Sequence, residues 1–165
     1  YFDIAKIPSA LINDLDLVSY ARKKFKTLLI STGMSTEDEI EKAIGVGNPD
    51  VIFHTNSTYP SPIHELNLNY ITWLKQKYPQ AEIGYSGHEF GLVTTFAAVA
   101  MGAKWVERHV TLDREMWGSD QKSSVEPTGL IKLVKGIRDI ESSMGVLGPR
   151  KLLQSELMKK ESLRK

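Results

Sequence analysis

Short apolar segments that end in polar residues recur along this chain every ~25 residues, and each is followed by a stretch with helical periodicity. The segments are Tyr1 to Ile7, Thr27 to Ser31, Val51 to Thr55, Glu82 to Ser86 and Lys104 to His109. Helices are expected over Asn13 to Phe25, Thr36 to Ile44, Asn67 to Lys77, Gly91 to Ala100 and Gly129 to Ser142. Ser35-Thr36-Glu37-Asp38-Glu39 offers a cap with acidic residues in the first turn, and Pro127 opens the way into the last helix. Gly45, Gly47, Gly102 and Gly145 are the expected stops. Such alternation restricts the chain to a parallel α/β fold, because parallel strands need a crossover long enough to hold a helix. All the strand carboxyl ends then open on one rim, where folds of this kind carry their chemistry.

The number of units narrows the choice further. Five β/α units are too few to close an eight-stranded barrel, which needs about 250 residues. The chain opens on Tyr1, already inside a strand pattern, so the expected architecture is the carboxyl-terminal five units of a (β/α)8 TIM barrel. A complete five-stranded open sheet is the alternative. Residues 1–148 read as barrel, and 149–165, after Gly148-Pro149, read as a charged linker or solvated helix.

Composition excludes several function classes. A formal net charge of +1 over 165 residues gives no suggestion of a surface for nucleic acid or an acidic membrane. No apolar run approaches the roughly 18 residues of a membrane span. The chain has no cysteine, so it has neither disulfide nor thiolate metal site, which points to a reducing, cytoplasmic setting. Any metal must be held by nitrogen and oxygen.

Two histidines stand at neighbouring strand ends: His88 in Gly84-Tyr85-Ser86-Gly87-His88-Glu89, and His109 in Glu107-Arg108-His109-Val110-Thr111. Neutral imidazoles with water and carbonyl oxygen suit a borderline divalent ion such as manganese or zinc, acting as a Lewis acid with positions open for substrate. Hydrogen-bonded core histidines are the structural alternative. Lys6, at the end of the first strand, suits a phosphate or carboxylate, a Schiff base, or plain solvation. Ser31-Thr32-Gly33-Met34 at the next strand end suits an oxyanion or a simple turn. The hydroxyl-rich strand end and loop His54-Thr55-Asn56-Ser57-Thr58-Tyr59-Pro60-Ser61-Pro62 fits a polyol pocket, and its two prolines fit a merely rigid loop. His54 reads as an interior histidine and His64 as a solvated one. Asp120, after Gly118-Ser119, either bonds a sugar hydroxyl or caps its turn.

The segments Ala5-Lys6-Ile7-Pro8-Ser9, Ser31-Thr32-Gly33-Met34-Ser35, Ser57-Thr58-Tyr59-Pro60, Gly84 to Glu89, Glu107 to Asp113 and Gly118-Ser119-Asp120 occur here in the order and spacing of one family. On them the chain resembles the sialic acid synthases, which make N-acetylneuraminate or its 9-phosphate. The resemblance implies a TIM barrel that condenses phosphoenolpyruvate with an N-acetylhexosamine in its open aldehyde form. It implies that His88 and His109 bind a divalent ion, usually manganese. Lys6, Ser9, Ser31 and Ser86 match residues that hold phosphoenolpyruvate, and Tyr59 and Asp120 match contacts to the sugar. Some members carry an asparagine two residues before the matching tyrosine; Ser57 stands there in this chain, with Asn56 adjacent. The resemblance further implies three earlier strands, with a second phosphoenolpyruvate lysine, and a following antifreeze-like domain that completes the partner's site in a swapped homodimer.

A half barrel exposes strand edges and an uncovered core. Residues 1 to 165 by themselves are therefore expected to be inactive and weakly folded, as followed by thermal melting and phosphate release. A cooperative melt with full activity is the result that contradicts this.

Overall fold

A computed structural model describes residues 2–164, so the expected strand residue Tyr1 and the terminal Lys165 lie outside the described residues. Five strands form one sheet in the order β1-β2-β3-β4-β5. They are β1 (Ile4–Ile7), β2 (Thr27–Ser31), β3 (Val51–Thr55), β4 (Glu82–Gly87) and β5 (Trp105–Arg108). Every neighbouring pair is parallel. The connecting helices are α1 (Leu15–Lys24), α2 (Glu37–Gly47), α3 (Asn69–Lys77) and α4 (Val93–Ala100). Helix α5 (Pro127–Ser143) follows β5, and α6 (Gln154–Leu163) lies in the charged tail.

Alternation along the strands divides the side chains between two faces. Leu28, Ile30, Ile52, Ile83 and Tyr85 point outward and pack with Val18, Ala21, Ile40, Ala43, Ile71, Leu74 and Ala98 of the helices, which forms the main core. Leu29, Val51 and Phe53 point inward and pack with Trp105 in a smaller cluster. The sheet curls enough for its two edge strands to meet through side chains: Lys6 Nζ of β1 lies 2.9 Å from Glu107 Oε1 of β5. The result is a part-barrel of five parallel strands with helices outside.

Caps and close approaches explain the boundaries. Helix α2 starts at the expected place, with a capping box in which Thr36 and Glu39 each satisfy the other's backbone N–H. Its end differs from expectation, since the helix runs through Gly45 and Gly47 and stops at Asn48, which adopts the left-handed conformation at φ 40°. Gly47 serves packing instead: a Cβ there would come within 2.6 Å of Val18 Cγ1, so its absence lets α1 approach α2. Gly102 and Gly145 do stop α4 and α5, at φ 107° and 62°. Pro127 is the first residue of α5, where its missing N–H costs nothing. Helix α6 contributes no buried residue, and no described helix is long and apolar enough to cross a membrane.

At the opposite end of the strands Asp50 ties three elements together. Its carboxylate accepts from the Leu28 N–H and from Arg22 Nη1, both at 2.7 Å. Burial works against its ionisation, but these two donors outweigh it and hold the carboxyl below the usual aspartate range. The native state thus binds this proton more weakly than the unfolded chain. Its contribution is present above the unfolded value, about pH 4, and is lost as pH falls through the lower native value. Asp50→Asn is expected to lose less stability than the wild type between pH 7 and pH 3 in urea denaturation. Equal losses in the two proteins would remove this role.

Candidate active site

The parallel registers line up polar side chains on the concave face. Ser31 pairs with Phe53, Phe53 with Gly84, Thr55 with Ser86, and Ser86 with Glu107. Gly84 leaves room for the Phe53 ring, which a Cβ would meet at 2.6 Å, and Lys6 Nζ lies 5.2 Å above that ring. Lys6 and the Ser86 hydroxyl both donate to Glu107 Oε1, at 2.9 and 2.8 Å. Burial opposes ionisation of Glu107, but Lys6 first and then Ser86 overcome it, and the carboxyl sits below the ordinary glutamate range.

Each histidine stands one residue beyond its strand, His88 after β4 and His109 after β5. His88 is only 4% exposed, and its Nδ1 lies 2.7 Å from the Asn56 carbonyl oxygen. An acceptor there assigns the proton to Nδ1 and leaves the Nε2 lone pair free, the orientation typical of a metal-ligating imidazole. Burial pushes His88 below the usual histidine value and the nearby His109 lowers it further, against the pull of the Asn56 carbonyl, so the ring stays neutral. The two imidazole centroids are 5.1 Å apart. Tyr59 packs on both, at 4.3 Å from His88 and 5.6 Å from His109.

One cavity of about 240 Å³ is lined by Lys6, Ser9, Ser31, Ser57, Tyr59, Ser86, His88 and His109, joined by Thr55, Met34 and Glu107. The structure thus gathers eight of the nine residues singled out in the sequence. Asp120 does not line the cavity, but its Oδ2 lies 3.6 Å from His109 Nδ1. The hydroxyls of Ser31, Thr55 and Ser57 are buried without a protein partner. Buried hydroxyls ordinarily find one, so these three are free for a ligand.

The structure also separates Asn56 from Ser57. The Asn56 side chain is engaged within its own loop, with the Thr58 N–H and hydroxyl and with the Glu65 carbonyl, whereas Ser57 faces the cavity. His54 bonds the Leu66 carbonyl on the outer face, and His64 is exposed. A larger crevice of about 590 Å³ opens outside the strands, between α2 and the loop after β3, but it contains neither His88 nor His109.

Among the described residues no three His, Asp or Glu side chains form a ready metal cage. The fit to a divalent ion rests on two imidazoles at one rim, one of them held with its proton on Nδ1 by a carbonyl. Glu107 is the titratable member of the cavity to which sequence reading gave no role. Its signal was a carboxylate inside a strand two residues before His109, hence on the same inward face.

Gly33 keeps the cradle open. A Cβ there would lie 2.1 Å from Ser57 Oγ and 2.8 Å from Ser9 Oγ. Gly33→Ala is expected to cost about 1–3 kcal/mol of stability through overpacking and to weaken binding of phosphate, read by denaturation and calorimetry. Unchanged values for both would show that the loop relaxes freely.

Comparison with known proteins supplies the family. The NeuB family profile matches residues 1–148. The chain is 37% identical over 165 residues to human N-acetylneuraminate-9-phosphate synthase, covering 97% of this chain and 45% of that protein. It is 38% identical over 160 residues to the N,N'-diacetyllegionaminic acid synthase of Campylobacter jejuni, covering 93% of this chain and 47% of that protein. A crystal structure of N-acetylneuraminic acid synthetase from Leptospira borgpetersenii, in complex with citrate, superimposes with a TM-score of 0.85 at 35% identity, over 98% of this chain and 59% of that one. The chain spans about half the length of the curated relatives it matches. On its sequence and on its fold, the chain belongs to the NeuB family.

Proposed function

We propose that this chain is the part of a (β/α)8 synthase that binds phosphoenolpyruvate and a divalent metal, and that the synthase condenses phosphoenolpyruvate with an open-chain N-acetylmannosamine-type aldehyde. The observation that carries the reading is the single cavity in which Lys6, three unpartnered hydroxyls and two imidazoles converge. Ser9 and Ser31 supply hydroxyls for the carboxylate and phosphate oxygens of phosphoenolpyruvate, Ser86 joins them when its proton turns from Glu107 to the ligand, and Lys6 is a charged donor. Lys6 is paired with Glu107, so together they bring no net charge. The remaining positive charge for the phosphate comes from the metal and from residues outside this chain. Tyr59, Ser57 and Asp120 face the sugar.

His88 and His109 are the side chains that would hold the ion, manganese above all, and when bound it supplies Lewis-acid polarisation of the aldehyde oxygen. The enol carbon of phosphoenolpyruvate forms the new bond to the aldehyde carbon. Water adds to the other enol carbon, and the bond from that carbon to the bridging oxygen breaks, so that oxygen leaves with the phosphate. The product is a nine-carbon 2-keto acid. The isolated chain is inactive because its barrel is incomplete, and the intact protein works in the cytoplasm as a swapped homodimer.

A related acceptor, of the legionaminic or pseudaminic type, is the second reading. Its support is Ser57 facing the cavity, together with an identity to the legionaminic synthase of 38%, beside 37% to the 9-phosphate synthase. The deciding experiment is phosphate release from phosphoenolpyruvate by the protein at the length its gene encodes, with and without manganese, N-acetylmannosamine and its 6-phosphate. Release that requires both metal and sugar is expected, and Lys6→Met is expected to reduce it at least about 100-fold. Release only with another amino sugar would shift the reading to the second acceptor class. No release with any acceptor, and no manganese bound, would leave an idle scaffold.

A further inference from the structure

The residues beside the two histidines form a buried ion pair for which the proposed reaction has no use. Glu89 follows His88 and Arg108 precedes His109, and their side chains are 0% and 3% exposed. Arg108 Nη1 donates to Glu89 Oε1 at 3.1 Å, to the Gly91 carbonyl at 2.8 Å and to Thr95 Oγ1 at 2.9 Å. Arg108 Nη2 donates to the Glu89 carbonyl at 2.6 Å. The Glu89 carboxylate also accepts from the hydroxyls of Tyr85, Thr94 and Thr95. It folds back beneath Gly87, where a Cβ would come within 2.8 Å of Oε2. One guanidinium thereby holds both the side chain and the backbone of the residue next to His88, while its own backbone carries His109. On the far side, Val125 N–H donates to the His109 carbonyl at 2.8 Å.

Stability does not explain this pair. A buried ion pair is commonly no better than apolar packing of the same volume, because the desolvation of two charges offsets their attraction. What it supplies is geometry: several directed hydrogen bonds fix two strand ends relative to one another. We infer that Glu89 and Arg108 are positioning residues that set the separation of the His88 and His109 imidazoles, and so the affinity for a divalent ion. The inference rests on the reading of those histidines as metal ligands.

Manganese binding, titrated by electron paramagnetic resonance on the protein at the length its gene encodes, provides the test without recourse to activity. Glu89→Gln and Arg108→Lys are each expected to weaken binding about 10–100-fold, the usual cost of losing a group that orients a ligand. The metal-free proteins are melted in parallel. The pair Glu89→Gln with Arg108→Met leaves no lone buried charge, so its melting temperature is expected to recover towards wild type while its manganese affinity stays low. Should either single variant fold poorly, Thr95→Val removes one hydroxyl from the same network and is expected to weaken manganese in the same direction with a smaller loss. Affinities within about twofold of wild type, or affinity that recovers together with the melt in the double variant, would overturn the positioning role while the ligand assignment stands. A protein with both His88→Ala and His109→Ala that still binds manganese as the wild type does would overturn the ligand assignment, and the positioning role with it.

Discussion

The two-residue period of parallel strands in register is the constraint on which this structure depends. In each strand it sends one set of side chains out to the helices and the other into the concavity. Ile30, Ile52, Ile83 and Tyr85 go outward and build the main core. Thr55, Ser86 and Glu107 go inward at the same level because their strands pair Thr55 with Ser86 and Ser86 with Glu107, and Ser31 goes inward opposite Phe53, two residues before Thr55. A slip of one residue in any strand would exchange the two sets and abolish core and cavity together.

The concave face is costly for the fold. Ser31, Thr55 and Ser57 keep buried hydroxyls without partners, and Glu107 is half-buried. Unpartnered buried hydroxyls gather at this rim, as happens where a site is built for a ligand. The Lys6–Glu107 contact joins the first and last strands across the concavity, so it belongs to the curl of the sheet as much as to the site. Glu89 and Arg108 lie behind the rim, where Arg108 turns outward between the inward-facing Glu107 and the histidine that follows.

Much of this was legible in the residues. Strand positions follow from apolar runs bounded by polar ends, because strands buried on both faces need continuous apolar sequence, and β3 is buried throughout. Helix ends were less legible. A glycine in a helix signals either a stop or a close approach, and only the 2.6 Å distance to Val18 shows that Gly47 is the latter. In the loop after β3, Asn56 and Ser57 are equal candidates by composition. The turn that Asn56 makes with Thr58 decides that Ser57 faces the cavity.

By itself the sequence determined a parallel α/β architecture, the rim at which chemistry gathers and the family, because these depend on residue type and spacing along the chain. Tertiary structure decided that Lys6 meets Glu107 across the concavity, that His88 is held by the Asn56 carbonyl, and that Glu89 and Arg108 lock the two histidine-bearing strand ends. The physical reason is sequence distance. Lys6 and Glu107 are separated by 101 residues. Contacts of that kind are set by the curl and register of the whole sheet, which no local pattern encodes.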